Sequence, residues 1–344
     1  MIADTFRDGE SGQLTHGVMV AESALSEGYH GHLCLRPFLP DDRAVACKAE
    51  QAMLSTSAPC HRFLQAVRQA AVEGQSELLE AATTQLRQLK RAGSHHGAVS
   101  FSVGDSKARI FEQDYAQLSL AWDWRAHPQL REQSQRLLGR YAAALGLDMQ
   151  KLQASDPGVL GPERARLQQG LLAQIDAAVD HSARLKTARA DYARCVDELE
   201  GQRVSVVVAA DNQGELLQKM TADANGRPPQ VSADFFENPL SNARTVTVGA
   251  VGSLRDGRGD LPGVRAPVAY YSSPSRQVSV YANGVTGDED GTSFATPRVA
   301  AVLAELHRTR PQASNRQVTA EMLDRLCQDR ALDASRAASF LSEQ

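Results

Sequence analysis

The sequence is poor in aromatic residues, in cysteine pairs and in long apolar runs, and each shortage excludes a class of protein. Aromatic residues make up only 5% of the 344 residues. The net charge is −4 and no basic run is present, which argues against a general nucleic-acid binder. No apolar stretch approaches the ~20 residues that span a bilayer, so no membrane partner is expected. The five cysteines are odd in number and form no Cys-x-x-Cys pair, which favours reduced structural thiols over disulfides or a zinc site. We therefore expect neither a bound metal nor an organic cofactor.

What the sequence does contain is an alternation of buried strands and amphipathic helices. The apolar fraction of 42% and the charged fraction of 23% are ordinary for a globular protein. The runs 98–104, 204–210 and 245–251 are continuous and rich in β-branched residues, as is typical of central parallel strands. Residues 61–91 carry a broken apolar stripe at helical spacing. The pattern predicts an α/β fold with a mostly parallel central sheet flanked by helices.

The stretch 291–297 places a serine at the entrance of a helix. It reads Gly-Thr-Ser-Phe-Ala-Thr-Pro and is followed by apolar residues at helical spacing. Gly291 permits a tight turn, and Pro297 is tolerated in the first turn, where backbone amides have no intrahelical partner. Ser293 therefore lies in the positive end of the helix field, which suits a nucleophile that must generate an oxyanion. A capped core helix is the alternative that these residues alone leave open.

The stretch resembles the nucleophile motif of the subtilisin-like (S8) serine peptidases, usually Gly-Thr-Ser-Met-Ala-x-Pro. Two N-terminal segments resemble the same family, because Asp4 follows a first short strand and His16-Gly17 opens the next helix. The resemblance implies a triad in the order Asp, His, Ser, in which Ser293 is the nucleophile, His16 the base and Asp4 the acid that orients it. His96-Gly97 offers a second histidine, but a strand follows it and leaves no helix for it to open. The resemblance therefore favours His16.

Three further positions are implied by the resemblance. Asn212 follows the strand 204–210 where the family has the asparagine whose amide donates to the oxyanion. The segment Ser102-Val103-Gly104 matches the strand that forms one wall of the substrate cleft and pairs with an extended peptide. Asp211 replaces the family's glycine next to the specificity pocket. With Asp105 on the opposite wall, this acid suggests a preference for a basic side chain at P1, the substrate residue on the acyl side of the scissile bond.

Residues 105–202 depart from the family as an enlarged helical insertion. The amphipathic stretches 128–147 and 163–200 predict an antiparallel helical hairpin that projects from the core. The hairpin 128–200 is either a tolerated insertion, a lid, or an arm that docks a protein partner. The chain is predicted to divide into four parts. Residues 1–104 are an N-terminal peptidase part with acid, base and substrate strand, and residues 105–202 are the helical insertion. Residues 203–312 are a C-terminal peptidase part with the oxyanion asparagine and the nucleophile, and residues 313–344 are a helical tail.

The sequence thus predicts a serine endopeptidase that hydrolyses protein or peptide substrates through an acyl-enzyme. Two alternatives remain open, namely an impaired pseudoprotease that binds peptides or acts as a scaffold through its hairpin, and an acyl hydrolase that cleaves esters. Residues 1–4 show no charged segment followed by an apolar run, so no signal peptide is visible. A cytoplasmic protein is expected, or a secreted one if a segment precedes Met1.

Overall fold

A computed structural model describes most of the chain, and its centre is a sheet of eight strands. The described residues are 1–4, 16–26, 35–37, 60–93, 95, 97–122, 131–220, 226–227, 229–252 and 268–342. The strands are β1 Ile2–Asp4, β2 Leu35–Pro37, β3 Gly97–Phe101, β4 Val204–Ala209, β5 Val246–Val251, β6 Val278–Asn283, β7 Val285–Thr286, β8 Glu289–Asp290, β9 Cys327–Gln328 and β10 Ala331–Leu332. The helices are α1 His16–Ser26, α2 Cys60–Arg91, α3 Lys107–Trp122, α4 Arg131–Leu145, α5 Met149–Leu152, α6 Pro157–His181, α7 Ala183–Gly201, α8 Leu216–Lys219, α9 Thr292–Thr309, α10 Asn315–Arg325 and α11 Ala334–Ser342.

The large sheet is parallel apart from one edge strand. Its order is β2-β1-β3-β4-β5-β6-β10-β9, and only β9 runs antiparallel to its neighbour within these described strands. All six residues of β4 and all six of β5 are buried, as expected of β-branched runs that are covered on both faces. The predicted α/β fold with a mostly parallel sheet flanked by helices is confirmed.

The order of the strands creates a crevice at the carboxyl edge of the sheet. The chain passes from β1 outward to β2 and then returns past β1 to β3, from which it continues to β4 and β5. Connections therefore leave β1 and β3 in opposite directions. In open parallel sheets the crevice for ligands lies outside the carboxyl ends of the strands at such a switch point. The end of β1 at Asp4 and the residues that follow β3 and β4 are placed at this crevice.

Helices cover both faces of the sheet. One face packs against α2, α3, α4, α6 and α7, whose buried side chains form one cluster with Val99, Phe101, Val206 and Val208 of β3 and β4. The other face packs against α9, α10 and α11. A smaller cluster joins Ile2 of β1, Val20 of α1 and Phe294 of α9, so the helix that His16 opens is fixed against the helix that carries Ser293.

The helical insertion differs from the predicted projecting hairpin in two respects. The second predicted helix, 163–200, is two helices, because Ser182 takes an extended backbone conformation and its hydroxyl accepts a hydrogen bond from the amide of Leu185 at 3.2 Å. The insertion also shares the buried cluster of β3 and β4, so it forms a layer on the sheet. Its apolar seam continues through the break because α6 and α7 both face this core. Among the described residues no helix is long and apolar enough to cross a membrane.

The C-terminal segment 313–344 is more than the predicted helical tail. Val318, Met322, Leu326 and Leu332 are buried, as the sequence predicts. The segment also contributes β9 and β10, and β10 pairs parallel with β6. The tail therefore extends the central sheet.

Lys107, the first residue of α3, connects α3 to α6 and to the segment between α8 and β5. Its Nζ lies 2.9 Å from Asp176, 2.7 Å from Asp180 and 2.9 Å from Asp234, and its side chain is only 2% exposed. Burial alone would lower the pKa of Lys107, but the hydrogen bonds that its ammonium donates to the three carboxylates outweigh burial and raise that pKa. The three N–H groups of the ammonium therefore each have a carboxylate partner.

We expect Lys107→Met to lower the free energy of unfolding by about 2 kcal/mol, because it leaves three neighbouring carboxylates without their shared cation. This loss in the free energy of unfolding is smaller than that expected for breaking a fully buried ion pair, since Asp180 and Asp234 are 46% and 48% exposed and remain partly hydrated. Urea denaturation at neutral pH measures the change. Lys90→Met is the control, because Lys90 pairs with Glu198 at 2.8 Å on the surface. Equal losses in the two variants would contradict the prediction.

Candidate active site

Ser293 lies where the sequence predicts it, in the first turn of a buried helix. Helix α9 begins at Thr292, follows Gly291, and buries nearly all of its first turns, including Ser293 at 6% exposure. Amides in the first turn have no intrahelical acceptor, and the helix dipole favours negative charge at this end. The hydroxyl of Ser293 is therefore held at a position that stabilises a developing anion.

His16 lies against Ser293 although 277 residues separate them in sequence. It is the first residue of α1, and its Nε2 is 3.0 Å from the Oγ of Ser293. The imidazole also contacts the ring of Phe294, with centroids 5.3 Å apart. This distance lets the imidazole accept the hydroxyl proton in the tautomer protonated on Nδ1. His96, the alternative base, lies outside the described residues, and its neighbour His95 is exposed shortly before β3.

Asn212 faces the same point from the end of β4. Its Oδ1 accepts hydrogen bonds from the backbone amide and the hydroxyl of Thr292, both at 2.9 Å. The side-chain amide is thereby oriented, and its Nδ2 is turned toward Gly291. A Cβ added at Gly291 would lie 3.1 Å from the Oγ of Ser293 and 3.3 Å from the Nδ2 of Asn212. Glycine at this position leaves open the space between the hydroxyl and the amide donor.

Asp4 is the last residue of β1. The register pairs it with Pro37 of β2, and β1 also pairs with β3. Its backbone thus ends at the carboxyl edge of the sheet, beside the crevice. The role of Asp4 as the acid that orients His16 stays a prediction.

The segment Ser102-Val103-Gly104 directly follows β3, which ends at Phe101, three residues earlier than the run 98–104 suggests. The carbonyl of Val103 accepts a hydrogen bond at 2.9 Å from the Nδ2 of Asn238, which also donates to the carbonyl of Ala209 at 2.8 Å. This buried amide joins the segments that follow β3 and β4. Sequence reasoning missed Asn238, because residues 215–240 read as a polar loop.

Asp211 lies between these two segments. It is 5% exposed and has a φ of +77°, a backbone conformation unusual for a residue other than glycine. Its Oδ2 accepts from the amide of Ser106 at 3.1 Å, and its carbonyl accepts from the amide of Ser273 at 3.0 Å. Arg109 lies 3.9 Å from its Oδ1 and donates to the carbonyl of Gly104 at 2.8 Å. The predicted preference for a basic P1 side chain stays a prediction, with one cation of the protein already beside this carboxylate.

Asp105 lies next to this group and packs against α2, where a Cβ on Gly74 would be 2.6 Å from its Oδ2. Burial raises the pKa of Asp105 from 3.8 to about 7; the Arg109 guanidinium opposes this rise and the Asp211 charge adds to it. A carboxyl whose pKa is raised on folding stabilises the fold most below its unfolded pKa, and this stability is lost as pH rises through the folded pKa. The wall of the crevice therefore gains a negative charge near neutral pH.

We expect the free energy of unfolding of Asp105→Asn, relative to that of wild type, to be about 1–2 kcal/mol higher at about pH 8.5 than at about pH 5.5. The reason is that Asp105 ionises between these pH values in wild type, whereas asparagine cannot ionise. Urea denaturation of both proteins at the two pH values measures the difference. Asp329→Asn, at a turn before β10, is a control remote from this wall. A difference between Asp105→Asn and wild type that is the same at both pH values would contradict the prediction.

Fold and site place the chain among α/β proteins that carry a serine at a helix start beside a histidine. A sequence model described as Subtilase family matches residues 163–338, just over half of the chain. The protein belongs to the subtilase family. The matched range includes Asn212 and Ser293, whereas Asp4 and His16 lie before it. A comparison with curated protein sequences finds no match.

Solved structures similar to the chain are subtilisin-like proteases at low identity. A protease from Pseudoalteromonas arctica is 18% identical over 44% of this chain and 47% of its own, with a TM-score of 0.28. The nisin leader peptidase NisP from Lactococcus lactis is 14% identical over 45% of this chain and 51% of its own, with a TM-score of 0.32. Sphericase is 14% identical over 73% of this chain and 55% of its own, with a TM-score of 0.32. The chain thus spans about half the length of these proteins.

Proposed function

We propose that the protein is a serine endopeptidase that hydrolyses peptide bonds through an acyl-enzyme on Ser293. The observation that carries the proposal is the 3.0 Å distance from the Nε2 of His16 to the Oγ of Ser293 at the start of α9. A serine hydroxyl is a weak nucleophile unless a neighbouring base takes its proton. Imidazole suits that task because its usual pKa is near 6.5. Membership of the subtilase family supports the same reaction class.

In the acylation step the Oγ of Ser293 attacks the carbonyl carbon of the scissile peptide bond. The hydroxyl proton passes to the Nε2 of His16, and the carbonyl oxygen becomes an oxyanion. The Nδ2 of Asn212 faces this region across Gly291 and would donate to the oxyanion, together with a first-turn amide of α9. When the intermediate collapses, the carbon–nitrogen bond breaks and His16 protonates the leaving amine.

Deacylation runs through the same groups with water as the nucleophile. His16 takes a proton from the water, whose oxygen attacks the ester carbon on Ser293. The second oxyanion uses the same donors, and the proton returns to the Oγ of Ser293 as the ester bond breaks. The products are a carboxylic acid and a regenerated enzyme. Apart from the peptide substrate and one water molecule, no group outside the chain is needed to balance the two steps.

Asp4 is the proposed partner of the Nδ1 of His16. Its backbone ends β1, and α1 packs on β1 through Ile2 and Val20. A carboxylate at this nitrogen would fix the tautomer that leaves Nε2 free to accept a proton, and it would stabilise the imidazolium. The family resemblance and the position of the backbone support this assignment.

Labelling with a fluorophosphonate probe tests the proposal. Wild type is expected to be labelled on Ser293, as located by peptide mass spectrometry, and Ser293→Ala is expected to remain unlabelled. Ser279→Ala, a serine on β6 away from α9, is the control and is expected to label as wild type. Absence of label on wild type, or equal labelling of Ser293→Ala, would refute the peptidase and favour a pseudoprotease. Turnover of esters without turnover of peptides would point to an acyl hydrolase.

A further inference from the structure

If the proposed function holds, the gap between the segments that follow β3 and β4 receives the side chain of the acyl-side residue (P1), the substrate residue whose carbonyl carbon Ser293 attacks. When the carbonyl carbon is bound to the Oγ of Ser293 and its oxygen points to Asn212, the substrate residue that bears it lies beside Asp211, the neighbour of Asn212 in sequence. Strands β3 and β4 are adjacent, with Phe101 paired to Val208, so their continuations 102–106 and 210–212 flank this space. In the proposed function the side chain of that residue enters between them.

The carboxyl group of Asp211 crosses this gap. It starts on the β4 side and accepts a hydrogen bond at 3.1 Å from the amide of Ser106 on the β3 side. A Cβ added at Gly104 would lie 2.8 Å from the Cγ of Asp211, closer than such carbons approach one another. The carboxyl group of Asp211 thus joins the two sides and occupies the space between them.

Asn238 bridges the two sides of the gap. Its Nδ2 donates to the carbonyls of Val103 and Ala209, one on each side, and lies 2.6 Å from the position of a Cβ on Gly104. The side chain is buried at 1% exposure. Because breaking a buried hydrogen bond leaves unsatisfied polar groups, displacement of Asn238 by a substrate side chain is unfavourable. The two sides are therefore fixed in their separation.

The backbone conformation of Asp211 is imposed by the fold. A φ of +77° is a strained conformation for aspartate. The hydrogen bonds from Ser106 to the carboxylate and from Ser273 to the carbonyl hold it there. Strain of this kind next to a reacting group commonly has a functional role.

We propose that Asp211 is a specificity-determining residue that restricts the acyl-side residue of the substrate to glycine or alanine. The inference rests on the proposed function and replaces the expected attraction of a basic P1 side chain with a steric restriction. Two observations separate the alternatives. The Oδ2 of Asp211 is occupied by the amide of Ser106, and its Oδ1 is 3.9 Å from the cation of Arg109. The carboxylate thus fills the gap while its charge is directed to groups of the protein itself.

The test is a set of peptides that differ only in the acyl-side residue, with glycine, alanine, leucine, phenylalanine or arginine. For wild type we expect kcat/KM for alanine or glycine to exceed that for leucine, phenylalanine and arginine by about 100-fold, as a filled pocket excludes larger groups. In Asp211→Gly the ratio of phenylalanine to alanine should rise by at least about 10-fold. Asp211→Asn is the matched control, since it keeps the size and the acceptor but removes the charge. Its profile should follow wild type.

Each other outcome overturns the restriction. Equal turnover of leucine and alanine peptides by wild type, or a profile unchanged in Asp211→Gly, shows that Asp211 does not close the gap. Preference for arginine that is lost in Asp211→Asn shows that charge attracts the substrate. If Ser293 is labelled by the fluorophosphonate, these results count against the restriction alone. If Ser293 is unlabelled and all peptides remain intact, both the restriction and the proposed peptidase are refuted.

Discussion

His16→Ala is expected to reduce kcat for peptide hydrolysis by about 10⁶-fold, the magnitude that loss of the base or the nucleophile has in subtilisin. The structural reason is that the Nε2 of His16 is 3.0 Å from the Oγ of Ser293, within reach of the proton that the hydroxyl must lose. Without the imidazole, the hydroxyl has to attack as a neutral alcohol. Fold stability should change little, because His16 is partly exposed at the start of α1.

The double variant His16→Ala, Ser293→Ala sharpens this prediction. Groups that act as one unit lose their effect together, so the double variant should be no slower than either single variant. Initial rates with a peptide substrate measure all three. His95→Ala is the matched control, because this histidine is exposed in the turn before β3 and should keep wild-type rates. Losses in His16→Ala and Ser293→Ala that multiply in the double variant would show that the two side chains act independently.

Features that depend on a few neighbouring residues could be predicted from the sequence. The helix start at Thr292 is set by a glycine and a hydroxyl pair, whereas the prediction for Pro297 is wrong, because it is the sixth residue of α9 and lies inside the helix, beyond the first turn. The opening of α1 at His16 and the buried strands β4 and β5 follow from equally local patterns. These elements agree with the structure because propensity, periodicity and burial favour the same conformation there.

The meeting of His16 and Ser293 could not be derived from local pattern, since 277 residues separate them. Only the resemblance to a family connected the two segments. The position of Asn238 was also beyond the sequence, because its partners are backbone carbonyls of Val103 and Ala209. Any residue supplies such a carbonyl, so no side-chain pattern marks them in the sequence.

The break between α6 and α7 shows a different limit. Ser182 has the spacing of a seam residue, and the apolar period continues from Val179 to Leu185 without a change of phase. The serine hydroxyl instead caps α7, and its backbone is extended. Periodicity reports which face is buried, whereas a cap depends on one φ/ψ pair. Two helices that bury the same face thus read as one.

Asn212→Asp is expected to lower kcat by about 10³-fold or more, beyond the range of about 10²–10³ known for removal of the donor in subtilisin. The substitution keeps an oxygen that accepts from the amide and hydroxyl of Thr292, which now bind the Oδ1 of Asn212 at 2.9 Å. The start of α9 should therefore stay in place. What changes is the group facing Gly291, where an amide donor becomes an anionic oxygen beside the developing oxyanion.

Asn212→Leu separates the donor from the anchor, because it removes both the N–H group and the acceptor for Thr292. We expect this variant to lose activity and also to lower the midpoint of urea unfolding, whereas Asn212→Asp should lose activity at nearly unchanged stability. Labelling of Ser293 by a fluorophosphonate measures the reactive hydroxyl, and initial rates measure turnover. The hydrogen bond from Asn212 should be stronger in the transition state than in the bound substrate, because the oxyanion forms only during the reaction. Its loss should therefore affect kcat far more than KM. A rise in KM with unchanged kcat in Asn212→Asp would show that Asn212 holds the substrate and leaves the oxyanion to the amides of α9.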